Sequence, residues 1–458
     1  MKFCRLIGSA ETAKPVGLPV GFFPGVGAGE GLGDRAVRLH GDTAVAVLLD
    51  DERPALSHAP FELRLRKTMA KVCVVRQFYF PFDTRVRREV QALLDAGHEV
   101  DVICQQGDGE PVTEGRGLLS VRRLPVRRRR QSTVQYLIEY LEFFLKAFAL
   151  ISVRHLRRRY DLVQVNSLPD PLVFAALVPR LSGTPVLLDL HECMPEFFAT
   201  KFGVDEQRWP VRVLALLEQA SIRFASLVTT CTDQMREAFI GRGAPPAKVV
   251  VVFNGADEAV FHPQRFTPST NGGFELISHG SLEKRYGIAT IIEAVARVDD
   301  IPGLRLKIYG DGPQLEELEQ LTRHLGAEDR VWFSGGFVPL DDLVAAIADA
   351  DVGVVAVERN AFRDLTLCNK MYDFIAMETP AIVSRTRSVE AYFDDSCFEL
   401  FDAGDVEALA AAIRTLHGDR DRRAQLVRRA KEAGAPHRWE RQRHVYLDAV
   451  EGLLRRSA

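Results

Sequence analysis

From Met69 onward, short apolar runs alternate with stretches whose apolar residues recur at helical spacing. KVCVVRQ, HEVDVICQQ, LVQVNS, PVLLDLHE, SLVTTC and KVVVVFN form a first series; FELISHG, LRLKIYG, VWFSGG, ADVGVVAV and AIVS form a second. Apolar on successive residues rather than on alternate ones, such runs read as strands buried on both faces of a parallel sheet. Between them, Thr84 to Ala96 predicts an amphipathic helix stopped by Gly97. Ile288 to Val298, Gln314 to Leu325 and Asn369 to Met377 predict three more. Strands alternating with helices predict an α/β protein with doubly wound, Rossmann-like sheets.

The two series have similar size and grammar, and HPQRFTPSTNGG separates them with no period of its own. The expected organisation is therefore two Rossmann-like domains in tandem, over 69–258 and 259–435, facing across a cleft. HRWERQRHVYLDAVEGLL predicts a last helix within 436–458, with Trp439 and Tyr446 as packing residues. Residues 1–68 differ from the rest. GFFPGVGAGEGLGD is glycine-dense without matching G-x-G-x-x-G, and no strand leads into it. A weakly ordered extension is expected there, read as an upstream start.

One helical stretch stands apart. VQYLIEYLEFFLKAFALISV, at 134–153, is the most apolar, yet it carries Glu139, Glu142 and Lys146. Arg127 to Arg130 precede it, and Arg154, Arg157, Arg158 and Arg159 close it. Two readings stay open: a helix packed on the sheet with its arginines in solvent, or a helix lying on an anionic membrane surface.

Composition changes this picture little. At 458 residues the chain has room for about three domains. A net charge of −3 gives no global signal for nucleic acid. Seven scattered cysteines without a C-x-x-C pair point to reduced thiols in a cytoplasmic protein, not to a disulfide framework or a zinc site. No apolar run is long enough to span a membrane, and the start lacks a signal-peptide core.

The chemistry concentrates in two places. In open α/β sheets, ligands bind beyond the carboxyl ends of strands and against helix N-termini. The segment 360–384, after the strand ending at Val357, brings Asp364, Asn369, Lys370 and Asp373 to such a corner. A cation there suits a phosphate and a carboxylate suits a ribose diol; a solvated surface loop is the alternative. FELISHGSLEKRYGIATIIEAV adds strand, glycine turn, basic loop and helix. In it Gly280 and Gly287 admit close backbone approach, and Lys284 and Arg285 supply charge for a diphosphate. Asp83, Arg85 and Arg88 fall at the cleft edge of the first half; two readings stay open, contact with the acceptor or donor phosphate or arginines merely solvated, and they are left outside the site.

HGSLEKRYGIATIIEA, IYGDGPQLEEL, VWFSGGFVP and NKMYDFIAMETPAIVS, in this order and spacing, resemble the family 4 retaining glycosyltransferases of the GT-B fold (glycosyl transferases group 1). DTRVRREVQALLDAGHEVDV, NSLPDPL, LDLHECMPE and VVFNGADEAVFHP resemble the first half of the same pattern. The resemblance runs from about Ala70 to the C-terminus. It implies transfer of a sugar from a nucleotide-diphosphate sugar to a glycan, lipid-linked or small-molecule acceptor, with retention, no metal and no further cofactor. It also implies which residues hold the donor. Gly280, Ser281, Lys284 and Arg285 would flank the diphosphate, chiefly through Arg285. Lys370 and Asn369 would stand beside it, and Asp373 would bind the ribose hydroxyls in place of the usual Glu. Many members carry Arg at Ser281 and Lys at Tyr286. The first family carboxylate falls on Leu365, which leaves Asp364 as the nearest substitute. His191 matches a histidine near the sugar on the acceptor side. A non-catalytic nucleotide- or lipid-binding scaffold and another nucleotide-sugar reaction, such as epimerisation, remain alternatives.

Overall fold

The computed structural model describes residues 69–127, 133–263, 273–336 and 338–457. The extension expected over 1–68 lies outside them, as do Arg128 to Arg130 and most of the linker. The first half runs β1 (Lys71–Arg76), α1 (Thr84–Asp95), β2 (Glu99–Gln105), β3 (Thr113–Arg116), β4 (Leu119–Leu124), α2 (Thr133–Arg158) and β5 (Leu162–Asn166). It continues with α3 (Leu177–Leu181), β6 (Val186–Leu190), α4 (Met194–Phe202), α5 (Trp209–Phe224), β7 (Leu227–Thr230), α6 (Asp233–Gly241) and β8 (Val249–Val251). The second half opens with β9 (Phe274–His279), α7 (Ile288–Arg297), β10 (Leu304–Tyr309), α8 (Leu315–His324), β11 (Val331–Phe333), α9 (Leu340–Asp349) and β12 (Val352–Val355). It closes with α10 (Asn369–Ala376), β13 (Ala381–Ser384), α11 (Arg387–Glu390), β14 (Glu399–Phe401), α12 (Val406–Gly418), α13 (Arg420–Gly434) and α14 (Trp439–Ser457).

These strands build two separate sheets. Eight lie in the order β3-β4-β2-β1-β5-β6-β7-β8, and six in the order β11-β10-β9-β12-β13-β14. All pair in parallel except β3, which returns antiparallel along β4 at the sheet edge. That hairpin has no counterpart in the apolar pattern, because TEGR is exposed along its whole length.

Each sheet is covered on both faces. In the first half, α1 and α14 share one core, where Val86, Val90 and Leu93 meet Tyr446 and Val450. The other face carries α2, the 3-10 segment Asp170–Ala176 and α5, with Phe143, Ile151, Leu172 and Ile222 inside. Burying side chains of this size stabilises by about 1.5–3 kcal/mol each relative to exposure. Thus α14, last in sequence, belongs to the core of the first half.

Local chemistry fixes the elements that meet the cleft. The Asp83 carboxylate accepts the Val86 N–H at 3.2 Å and caps α1. Gly287, at φ +61°, opens α7; a Cβ there would stand 1.8 Å from the Ala356 carbonyl oxygen, so only glycine fits.

Of the two readings of the α1 arginines, the solvated one does not hold. Arg85 and Arg88 are buried, not solvated. Arg88 donates to the Gly255 and Ala256 carbonyls at 2.5 and 3.0 Å and to Asn254 Oδ1 at 2.5 Å, and lies over the Trp439 ring. It thereby pins the segment leaving the first half against the helix that returns to it.

Candidate functional site

The carboxyl ends of both sheets meet at a seam. Phe197 of α4 packs edge-on to Phe362 at 5.4 Å between ring centres, and Thr232 donates to the Leu365 carbonyl at 2.6 Å. Tyr392 binds Asp233 through both the backbone N–H and the carboxylate.

At the foot of this seam, three cations surround one aromatic ring. Lys370 Nζ lies 4.1 Å from the centre of the Tyr286 ring, the Arg363 guanidinium 4.8 Å and the Arg285 guanidinium 5.2 Å. Arg285 also lies 5.2 Å from the Phe197 ring centre. Glu283 pairs with Arg285 at 3.2 Å, and Arg363 and Lys370 have no ion pair among the described residues; the Glu192 carboxyl acts on Arg285 and Arg363, and Asp373 on Lys370, from further off. The Nε atoms of Arg285 and Arg363 are buried without an acceptor. A buried donor left unsatisfied costs about 1–3 kcal/mol, so an anion bound here relieves a standing penalty. Burial lowers the Lys370 amine to about 8, and Arg363 and Arg285 add to the shift. Gly280, at φ +106°, makes room for this lysine: a Cβ would stand 2.6 Å from Lys370 Cε.

One helical turn along α10 from Lys370, Asp373 points at the end of β9. Its Oδ2 lies 3.6 Å from His279 Nε2, too far for a hydrogen bond. Burial, reinforced by Lys370, lowers the His279 imidazole to about 3, so the ring is neutral and the two do not form an ion pair. Burial raises Asp373 to about 7 against the opposing pull of Arg88 and Lys370. His279 Nε2 has no hydrogen-bond partner. A vicinal diol, donor and acceptor at once, would satisfy both groups.

Across the seam, His191 follows β6 and rests on a buried polar network. Its Nε2 hydrogen-bonds Asp189, whose carboxylate also accepts from Arg85 at 2.8 and 2.9 Å, from Asn166 at 2.9 Å and from Thr229 at 2.8 Å. Burial works to raise Asp189, but Arg85 and His191 outweigh it and hold the carboxyl well below its usual range. Burial and the Asp189 charge raise Glu89 to about 8, so Glu89 is largely neutral at pH 7. Gln164 and Asn166 donate to Glu89, and the Tyr446 hydroxyl donates to Gln164 at 2.5 Å. The network therefore runs from α14 to the imidazole.

The structure gathers only some of the expected site. Arg285, Lys370, Asp373 and Gly280 stand together. Lys284 is exposed at the turn, and Ser281 is exposed with its hydroxyl on Glu283. Asn369 is exposed on the first residue of α10 and accepts from Asn254 at 3.2 Å. Asp364 braces its own loop: it accepts the Arg387 N–H at 2.9 Å and pairs with Arg359 at 3.2 Å. Leu365 packs into the core of the first half. Arg363, Tyr286, His279 and the carboxylates beneath His191 were absent from the sequence expectation. Arg363 carries a signal in hindsight, as a cation in the loop after a buried strand.

Two doubly wound sheets whose carboxyl ends meet at one seam, with a cation cluster on one side and a braced histidine on the other, define a class, the two-domain α/β proteins of Rossmann-like halves. Within it, the chain belongs to the glycosyl transferases group 1 family. Residues 83–255 match the family description "Glycosyl transferase 4-like domain" and residues 273–419 match "Glycosyl transferases group 1". The chain is 32% identical over 158 residues to the lipopolysaccharide core biosynthesis glycosyltransferase LpsE of Rhizobium meliloti, a stretch covering 34% of this chain and 43% of LpsE. It is 25% identical over 297 residues to the sulfoquinovosyl transferase SQD2 of Arabidopsis thaliana, covering 62% of this chain and 55% of SQD2. The chain thus spans about half the length of these curated relatives. Among solved structures, sucrose-phosphate synthase of Thermosynechococcus elongatus superposes with a TM-score of 0.67 at 20% identity, covering 84% of this chain and 99% of that one. The Anabaena HepE protein in complex with UDP-glucose gives 0.62 at 18% identity, covering 84% and 100%. The fold is GT-B.

Proposed function

We propose that the protein is a retaining, metal-independent glycosyltransferase that moves a hexose from a nucleotide-diphosphate sugar to a glycan or lipid-linked acceptor in polysaccharide or glycolipid synthesis. The observation that carries this reading is the triad of Arg285, Arg363 and Lys370 around Tyr286. Two guanidiniums and an ammonium converging with a single paired carboxylate suit a diphosphate, and HepE, of the same fold, is solved with UDP-glucose.

In this reading the diphosphate lies among the three cations, beside the N-terminal N–H groups of α10, which no side chain caps. Asp373 and His279 take the ribose diol. The C–O bond between sugar and phosphate breaks, and the cations stabilise charge developing on the leaving diphosphate. The acceptor hydroxyl attacks the face the phosphate leaves, and its proton passes to a phosphate oxygen. His191, held by Asp189, orients the sugar from the acceptor side. Asp364, which holds Arg359 and the Arg387 N–H, keeps acceptor capacity for a sugar hydroxyl. The protein works on the cytoplasmic side, peripheral at the inner face of an anionic membrane.

The test is nucleotide diphosphate release from a panel of UDP-, GDP- and ADP-sugars with wild-type protein and Arg285→Ala. Release by wild type and its loss in the variant support the reading. Nucleotide binding without release, with acceptor saccharides present, would establish the scaffold alternative.

A further inference from the structure

The outer surface of the first half is apolar where a soluble surface is polar. Among the described residues, eighteen large apolar side chains are exposed, and twelve of them lie on α2, α3 and α5. The stripe on α2 is continuous: Leu137, Leu141 and Leu145 are more than half exposed, Ala149 follows in the same register, and Val153 and Leu156 finish it. The opposite face of the same helix is buried through Glu139, Phe143, Ala147, Ile151 and His155. A helix apolar all round is normally buried all round. Among the described residues, the Leu137–Leu141–Leu145 side is left exposed. Scattered exposed leucines need no explanation, but a continuous row over 26 residues, about 39 Å of helix, does. The sequence nominated α2 alone. In the structure, α2 and α5 flank the same 3-10 segment, and α5 adds Trp209, Val213 and Leu216, while α3 adds Leu181, 78% exposed.

We infer that the α2–α3–α5 face is a docking surface for an anionic lipid bilayer, with the acceptor side of the cleft at the bilayer edge. Charge argues for this occupant. Exposed Arg127 precedes α2, and exposed Arg157, Arg158 and Arg159 end it; Arg212 and Arg223 stand on α5 and Arg180 on α3. The carboxylate flanking the α2 stripe is neutralised, since Glu142 pairs with Lys146 at 2.7 Å. Leucines in the acyl boundary, with arginines reaching headgroup phosphates, satisfy both kinds of side chain. A second copy of the chain fits less well. Because both ends of α2 are basic, pairing two copies of it about a two-fold axis sets arginine against arginine in either direction. Orientation supports the acceptor role. β4 ends at the same sheet edge as β6, which leads into His191, so α2 begins at the cleft edge and runs away from it. Leu137 and Leu141, in its first turns, therefore lie toward the mouth of the site. Among the described residues no helix is long and apolar enough to cross a membrane, and a face lying on the surface needs none.

This surface deepens the membrane location proposed above, yet it stands on residues outside the donor cradle, and its test reads lipid rather than turnover. Full-length protein is mixed with phosphatidylcholine vesicles with and without phosphatidylglycerol and floated on a density gradient. The expected result is flotation only with phosphatidylglycerol, declining as salt rises. Leu141→Glu with Leu145→Glu, and separately Leu216→Glu, lower the floated fraction at least tenfold while the melting temperature and nucleotide-sugar turnover stay as in wild type. Recovery of wild type in the soluble fraction at low salt overturns the inference. So does equal flotation of the glutamate variants. A wild-type dimer in gel filtration that the same glutamates dissociate, with no flotation, also overturns it and assigns the face to a second copy. Loss of turnover with flotation intact bears on the cradle and not on this surface.

Discussion

Lys370 Nζ lies closer to the centre of the Tyr286 ring than either arginine that shares the ring, at 4.1 Å. The ring face carries partial negative charge and so gives the ammonium a counter-charge. Each such contact is worth about 0.5–2 kcal/mol, depending on desolvation. Tyr286→Leu should therefore lower the stability of the free protein by on the order of 1–2 kcal/mol. A nucleotide diphosphate should restore most of the loss, since it supplies the missing counter-charge. Thermal melts with and without UDP or GDP check this. A loss that no nucleotide reduces would make Tyr286 a packing residue only.

Arg363 tests the cradle more directly, being buried with an Nε that has no acceptor. Arg363→Ala should lower kcat/KM by about a hundred- to a thousandfold, as loss of one preorganised donor to a leaving group commonly does. Arg363→Lys should recover part of this, keeping charge but losing the planar fork. Steady-state kinetics with the active donor gives the answer, and unchanged kcat/KM in Arg363→Ala would remove this residue from the site.

Arg363 also shows where reading the sequence stopped. Parallel strands buried on both faces leave near-continuous apolar runs, so β1, β2, β5, β6, β9 and β13 were legible. The β3–β4 hairpin was not, because an exposed edge carries no such run. Lys370 and Asp373 were legible because a helix fixes their spacing. Arg85 and Arg88 were not, because their partners Asp189 and Gly255 lie 104 and 167 residues away. Arg363 stands between the two: its place in the loop after a buried strand is a weak local signal, and its role comes from packing on Tyr286.

The pH dependence of donor capture follows from Lys370, whose amine is lowered to about 8 chiefly by burial. Only the protonated form attracts a diphosphate. In the free enzyme the contribution of this lysine to kcat/KM for the donor should thus decline as pH rises through about 8. Lys370→Arg, which stays charged, should remove this limb while changing the plateau. A pH profile of kcat/KM for both proteins decides it; an identical alkaline limb in the arginine variant would place the titrating group elsewhere.

Asp373 is raised in the folded protein to about 7, chiefly by burial. An unfolded Asp ionises near 3.9, so between the two values the folded state holds the extra proton. Stability from this group therefore falls as pH rises from about 4 to about 7, and the full penalty stands above 7. Asp373→Asn should make the free protein more stable at pH 8 by on the order of 2 kcal/mol, with the gain shrinking towards pH 4. The same variant should raise the donor KM, because one neutral amide oxygen replaces a two-oxygen carboxylate as the acceptor for the ribose hydroxyls. Denaturant melts at both pH values separate these effects. A variant less stable at pH 8 would show that hydrogen bonding, rather than uncompensated charge, governs this carboxylate.

Tyr446 links the end of the chain to the acceptor side. Its hydroxyl donates to Gln164, which donates to Glu89, which shares Asn166 with Asp189 beneath His191. Tyr446→Phe keeps the ring in its core and strands the Gln164 oxygen, so stability should fall by about 1–3 kcal/mol. Turnover should change far less, because the Asp189 bonds to Arg85 and Thr229 remain. His191→Ala should show the reverse pattern, with little loss of stability at a partly exposed position and at least a tenfold fall in kcat. Measuring urea midpoints and kcat on both variants sets the support apart from the group it supports. If Tyr446→Phe lost kcat at unchanged stability, α14 would act in the reaction rather than hold the first half together.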